Sequence, residues 1–452
     1  MADTYASLAQ QEAALAHLRP TITERLARFL EYKVWPSLPA LSRRDPARME
    51  ARFASATDRH GDIMEPDSAP DRTVSEPAHH VHMVVPRYPW KPTAYGGQFH
   101  RTRAQAYRDI GVSTDVFVCP PYATEGMEVR EAVTRGGFAD LTRWAAERGG
   151  AFSLHSPSPR TLAAILEGRP DARILCTFHG AEARDPARLA YNYTPISHRA
   201  EARLLAKSHA IRMAFLRTLA TDSSVEIAFV SETLRNMAEE DSGADLSRAH
   251  ILPNPIDTAL FHPRKRDATA LRRILAIRPF SRLNYGGDVL DAALSQLARQ
   301  GAEVTLVGFG LEWMDARKRL SGVAGLTLID GPVPPSRIAE LHATHGIFIY
   351  PTRHDTQGVS LCEAVASGMV AVTNRGTATE EFVGEGAVWL DTLDPSAFVE
   401  AALRVHTDPA AFRGVAEAGA ARIAQVCGPD ETVRKDLAIL LPGWQGAPQT
   451  LS

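Results

Sequence analysis

Long apolar runs are missing from this chain. No stretch approaches the roughly 20 apolar residues needed to span a bilayer, so no segment reads as a transmembrane helix. The polar start Met1-Ala2-Asp3-Thr4 carries no secretory signal pattern. Cysteine is scarce: Cys119, Cys176, Cys362 and Cys427 stand far apart in 452 residues, which excludes a disulfide framework and a cysteine-based zinc motif. Charge of one sign is missing too. The formal net charge is −3, which gives bulk electrostatics no reason to attract nucleic acid. There is no Asp-x-Asp pair to hold a divalent cation, so no metal site is expected. What remains is an ordinary globular composition, 44 % hydrophobic and 23 % charged, long enough for two or three domains. The expected location is the cytoplasm, with a peripheral visit to the inner membrane face left open.

Residues 1–77 read as a helical extension and linker. Thr21 and Glu24 form a capping box before a stripe containing Leu26, Phe29, Leu30 and Val34, and Pro66, Pro70 and Pro77 mark the linker. The stripe wants a partner surface: the neighbouring domain, another copy of the chain, or a second protein. From there strands alternate with helices. Strands are expected at 82–85, 114–118, 151–154, 174–178 and 227–230, and again at 273–276, 303–307, 326–329, 346–350, 370–373 and 387–390. Such alternation argues for parallel, doubly wound sheets. Two sheets are expected, in domains 78–257 and 258–428. The proline-stiffened crossing Ile251-Leu252-Pro253-Asn254-Pro255-Ile256-Asp257 joins them, and a last helix in 429–452 returns to the first. Ligands of such sheets bind in the cleft at the strands' carboxyl ends.

The densest chemistry follows the strand Ile347-Phe348-Ile349-Tyr350. Asp355 and Glu363 bracket Thr356-Gln357-Gly358-Val359-Ser360-Leu361-Cys362, with Asp355 on a loop and Glu363 in the first turns of a helix. Helix N–H groups near Gly358 and Val359 favour a diphosphate, and carboxylates accept from sugar hydroxyls, so one segment can hold both halves of a nucleotide sugar. Read separately, Glu363 is a dipole-favoured carboxylate and Asp355 a turn residue.

Four other places qualify. Gly96-Gly97 follow the first strand, where a plain turn is an equal explanation. His179 and His155 end two strands; taken singly, each is more often a hydrogen-bonded structural residue. Arg278 and Arg282 follow the first strand of the second domain and can grip a leaving diphosphate, or else be two solvated surface charges. Gly308 and Gly310 fit close approach of a base or ribose, or a tight turn.

Together these residues resemble the retaining GT-B glycosyltransferases of the glycosyl transferases group 1 superfamily. The resemblance covers about residues 82–440. It is carried by Tyr350 to Gly368, which looks like the Glu-x7-Glu motif and the helix behind it, and by Leu252-Pro253-Asn254-Pro255-Ile256-Asp257 with Phe261 and Pro263. It implies two Rossmann-like domains facing a cleft. Glu363 would bind the nucleotide's ribose, Asp355 the donor sugar, and Gly358 and Val359 sugar or phosphate. His179 would lie beside the transferred sugar, and Gly97 near the diphosphate. Asp355 stands where the family usually has glutamate, and Tyr285 where a lysine is expected.

The expected activity is sugar transfer from a nucleotide-diphosphate sugar to a glycan, lipid-linked or other hydroxyl acceptor, with retention of anomeric configuration. No tightly bound cofactor and no metal are expected. The alternatives are a nucleotide-sugar epimerase and a non-catalytic member that binds sugar or a partner.

Overall fold

A computed structural model describes residues 1–16, 79–89, 96–121, 126–130, 132–192, 195–280, 283–310 and 312–444. The Thr21 capping box, the stripe from Leu26 to Val34, the proline-marked linker, Tyr95 and Arg282 lie outside the described residues.

Two parallel α/β sheets dominate. The first contains β1 (His80–Val85), β2 (Ser113–Val118), β3 (Glu128–Arg130), β4 (Val133–Arg135), β5 (Ala151–His155), β6 (Arg173–Phe178), β7 (Val225–Phe229) and β8 (His250–Ile251). Its spatial order is β3-β4-β2-β1-β5-β6-β7-β8, parallel throughout except for the β3–β4 hairpin. The second contains β9 (Ile274–Pro279), β10 (Val304–Phe309), β11 (Leu326–Asp330), β12 (Ile347–Tyr350), β13 (Val370–Asn374) and β14 (Ala387–Leu390). Its order is β11-β10-β9-β12-β13-β14, all parallel.

The central strand β12 is a continuous apolar run, and β1 ends in one at Met83-Val84-Val85, because helices cover both faces of a parallel sheet. Val84 of β1 sits between Phe117 and Leu154. Phe348 of β12 sits between Leu275 and Ala371. Every residue of β12 is buried. Each sheet reverses its winding once, between β1 and β5 in the first and between β9 and β12 in the second. A crevice opens at such points because successive crossovers leave in opposite directions.

Helix starts follow local chemistry. Ser158 accepts from the Thr161 N–H to start Pro159–Gly168, and Ser231 accepts from the Leu234 N–H to start Glu232–Ser242, which Gly243 ends at φ +67°. The helix Ala2–Ala16 lies on the first domain: the Tyr5 hydroxyl donates to Asp222 at 2.8 Å, and the Glu12 carboxylate accepts from the Arg160 N–H at 3.0 Å.

The helix Pro429–Leu440 crosses back from the second domain. Val433, Leu437 and Leu440 are buried with Val81, Met83, Ala104 and Tyr107 of the first. Asp436 accepts from the Tyr107 hydroxyl at 2.7 Å and pairs with the Arg103 guanidinium, all three groups buried. Among the described residues no helix is long and apolar enough to cross a membrane.

Candidate functional site

The second domain supplies a loop and a helix tip at its switch point. β12 ends at Tyr350, and its hydroxyl donates to Asp355 at 2.7 Å. The other Asp355 oxygen accepts from the N–H groups of Gln357 at 3.3 Å and Gly358 at 2.8 Å. Both oxygens of Asp355 brace their own loop. The shorter side chain is suited to that reach. Gly358 adopts φ +78°, and a Cβ there would stand 2.7 Å from the Thr379 methyl, so glycine alone fits without displacement.

The helix Val359–Ala366 starts at this glycine. The N–H groups of its first turn have no acceptor within the helix, and they carry the positive end of its dipole. Glu363 lies four residues after Val359, on the same face. No hydrogen bond reaches its carboxyl among the described residues. Burial, and secondarily the nearby Asp257 carboxylate, push its pKa up to about 8. At neutral pH it is therefore protonated, able to donate one hydrogen bond and accept another, which suits a pair of hydroxyls.

Arg278 is placed differently from the diphosphate-gripping role expected of it. It is 2 % exposed. Its guanidinium donates to the carbonyls of Tyr285 and Pro351, both at 3.0 Å, and stacks 3.7 Å above the Tyr350 ring. It ties the β9 and β12 loops together, and burial among those carbonyls leaves it no open side. Gly308 is also reassigned. A Cβ on it would stand 2.1 Å from the Trp313 ring, so the missing side chain makes room for that indole rather than for a ligand. Trp313 in turn donates to Asp330 at 2.7 Å. Gly310 turns the chain at φ +102°.

The first domain supplies imidazoles. Gly97 starts the helix Gln98–Asp109 at φ +88°, and a Cβ there would press on the Arg87 carbonyl at 2.9 Å. This close turn brings His100 beneath the ends of β5 and β6. His100, His155 and His179 meet there, ring centroids 5.1 to 5.4 Å apart. His155 Nδ1 and His179 Nε2 share a hydrogen bond at 3.0 Å. Burial above all, with secondary repulsion among neighbouring cations, pulls the pKa of all three downward, that of His100 to about 3, so they are neutral.

The domains touch across the cleft through polar groups. The Thr356 hydroxyl donates to the His179 carbonyl at 2.7 Å. Gln357 exchanges two hydrogen bonds with the backbone of Asn254 in the crossing, at 2.7 and 2.8 Å. Glu381 of the second domain caps the helix Glu232–Ser242 of the first, accepting from the N–H groups of Glu232 at 2.8 Å and Thr233 at 2.7 Å.

The guanidinium of Arg184 reaches from the first domain to His354, one residue from Asp355. His354 is held neutral, its pKa drawn down to about 4 by burial and then by Arg184 itself. The hydrogen bond therefore leaves the Arg184 charge uncompensated at that contact. Nothing in the residues around Arg184 singled it out, because its partner is 170 positions away.

Two facing Rossmann-like domains with a ligand crevice at their switch points define the GT-B architecture. Residues 272–408 match the family described as glycosyl transferases group 1. The chain is 28 % identical over 182 residues to a phosphatidylinositol N-acetylglucosaminyltransferase subunit of Arabidopsis thaliana, covering 38 % of this chain and 39 % of that one. It is 27 % identical over 261 residues to D-inositol 3-phosphate glycosyltransferase 1 of Catenulispora acidiphila, covering 51 % and 62 %. The chain thus spans between two and about three fifths of the length of these relatives.

Among solved structures, sucrose-phosphate synthase of Thermosynechococcus elongatus superposes with a TM-score of 0.60 at 15 % identity, over 79 % of this chain and 97 % of that one. HepE of Anabaena, solved in complex with UDP and glucose, superposes with a TM-score of 0.59 at 13 % identity, over 80 % and 100 %. These likenesses establish the fold.

Proposed function

We propose that the protein transfers a glycosyl group from a nucleoside-diphosphate sugar to a hydroxyl acceptor, with retention at the anomeric carbon. The observation that carries this reading is Glu363: a carboxyl with no hydrogen-bond partner among the described residues, one turn inside a helix that begins at Gly358, next to the loop that bonds the first domain through Thr356 and Gln357. Glu363 engages the ribose hydroxyls. The first-turn N–H groups at Val359 and beyond face the diphosphate, and Arg184, rather than Arg278, brings the guanidinium that offsets charge on the leaving group. The group 1 match over the second domain and a relative solved with UDP and glucose support a nucleotide donor.

Retention without a covalent intermediate is supported by Asp355. Its carboxylate already accepts three hydrogen bonds and is poorly placed to attack a sugar. Attack and departure on one face then depend on positioning and charge stabilisation. His179 stands at the acceptor side of the cleft, near the sugar, with Gly97 shaping the floor.

The test is a panel of nucleoside-diphosphate sugars incubated with hydroxyl acceptors, with the product's anomeric configuration read by NMR. Arg184→Met is expected to lower kcat by about 10²-fold while leaving the melting temperature in place. Conversion of the donor to another sugar without any acceptor would instead establish an epimerase. An inverted product would overturn retention alone.

A further inference from the structure

The three histidines at the switch point of the first sheet are more than a packed cluster. One ring nitrogen from each of His100, His155 and His179 lies within 4.8 Å of the other two. They come from a helix and two strand ends, so the fold and no local motif brings them together. Their outward nitrogens are oriented by protein oxygens in two cases. His100 Nδ1 donates to the Arg87 carbonyl at 2.9 Å, which fixes the proton there and leaves Nε2 as a lone pair. His155 Nε2 bonds the Ser153 hydroxyl at 3.0 Å. A metal-ligating histidine is held in this way, with its second nitrogen engaged by a carbonyl or hydroxyl.

The inward side is under-satisfied. His100 Nε2 is buried and has no partner among the described residues. A buried acceptor without a donor costs about 1–3 kcal/mol, and an ion that takes the lone pair removes that cost. His179 Nδ1 and Asn254 Oδ1 are likewise buried without partners, and Asn254 lies near enough to His179 to favour its proton. A proton on His179 Nδ1 leaves its Nε2 free to ligate. Moving the proton on His155 to Nε2, toward Ser153, frees His155 Nδ1. The cluster then presents three inward lone pairs.

Nearby charge does not prevent this. Arg103 is the adjacent cation, and it is paired with the buried Asp436 carboxylate. The other His-containing group, His80 and His82 around Asp115, is different. There Asp115 Oδ1 accepts from both imidazoles at 3.0 and 2.6 Å, its second oxygen accepts from Arg148 at 3.0 Å, and His82 Nε2 bonds the Gly149 carbonyl at 2.7 Å, so the groups that face one another are already engaged.

We infer that His100, His155 and His179 form a binding site for one divalent cation that prefers nitrogen ligands, zinc or a similar late transition metal. Three neutral imidazoles with no carboxylate match Zn²⁺, Co²⁺ or Ni²⁺ and are poorly suited to Mg²⁺ or Ca²⁺. A tetrahedral ion with Zn–N bonds of about 2.0–2.1 Å needs ligand nitrogens about 3.3 Å apart, so the His155–His179 pair, now 3.0 Å apart, opens slightly while the His100 ring closes inward by at most about 1.5 Å on binding. Three ligands leave a fourth position. His179 is the part-exposed member of the three. The cation would pull the His179 imidazole away from a sugar and toward the sheet, and so couple occupancy to the shape of the acceptor pocket. Metal binding here stands whether or not the chain transfers sugar.

The test uses the full chain after dialysis against a chelator. Titration with Zn²⁺ should show one equivalent bound by calorimetry, and Co²⁺ should give the visible absorption of a four-coordinate site. His100→Asn and His155→Asn should each lower affinity at least tenfold, with circular dichroism showing the fold retained. Mg²⁺ should not compete. His82→Asn serves as the control and should bind as the wild type does. No uptake by the wild-type chain, equal uptake by His100→Asn, or loss of uptake only in His82→Asn would each overturn the site. If the histidine variants misfold, protection of His179 from diethyl pyrocarbonate by Zn²⁺ in the wild type answers the same question, and undiminished labelling would reject the site.

Discussion

The two switch points of this molecule handle buried polarity in opposite ways. At the first, three neutral imidazoles share hydrogen bonds and unpaired lone pairs beneath β5 and β6. At the second, one protonated carboxyl stands beside a helix tip, and the polar groups of Asp355 and Arg278 brace loops. Both occupy the crevice that a doubly wound sheet leaves at its reversal, yet their ligand chemistry differs. Lone pairs suit a cation or a hydroxyl proton. Free N–H groups and a carboxyl O–H suit phosphate and ribose. The fold fixes where a site lies, and the side chains that satisfy or fail to satisfy one another decide what it takes.

The largest expected effect breaks the first half. Asp436→Ala leaves Arg103 buried and unpaired, and should cost about 3–5 kcal/mol in equilibrium denaturation. A double replacement of Arg103 and Asp436 by apolar residues should recover most of that loss. If Asp436→Ala is as stable as wild type, the tie between the last helix and the first domain is not as described.

A pH series sharpens the second half. The Glu363 carboxyl is raised in the folded state, so the native protein binds its proton more tightly than the unfolded chain does. Between the ordinary glutamate pKa and about 8, stability should fall as pH rises, by less than about 1.4 kcal/mol per pH unit because the residue is part-exposed. Glu363→Gln should flatten this slope in thermal melts from pH 5 to 8 and weaken nucleotide binding at all of them. An unchanged slope would remove Glu363 from the titration.

The smallest effect tests the join. Glu381→Gln removes the charged cap on the helix Glu232–Ser242 and should cost about 0.5–2 kcal/mol. It should also shift solution scattering toward a more open pair of domains. Scattering identical to wild type would show that Gln357 and Thr356 hold the cleft without it.

Central strands were legible from residues alone. Ile347 to Tyr350 and Ile174 to Phe178 are strand-length runs of mostly apolar residues. The hairpin β3–β4 was not legible, because three-residue strands with Glu128, Arg130 and Arg135 lack any apolar period. The site divides similarly. Glu363 and the glycine before the helix are adjacent in the chain, and spacing reveals them. Arg278 and Arg184 look alike as residues. Only burial shows that the first is engaged by carbonyls and that the second crosses the cleft. His100 escaped notice because its partners, His155 and His179, come from strands far along the chain.

The sequence by itself determined the two parallel sheets, the crossing at Pro253 to Pro255 and the loop-helix segment from Asp355 to Glu363, because periodicity and proline geometry act over neighbouring residues. Tertiary structure alone decided which arginine faces the cleft, that Asp355 braces its loop, that Gly308 makes room for an indole, and that three histidines converge. Those outcomes depend on desolvation and on partners brought together across the chain, and neither quantity exists until the sheets have closed around them.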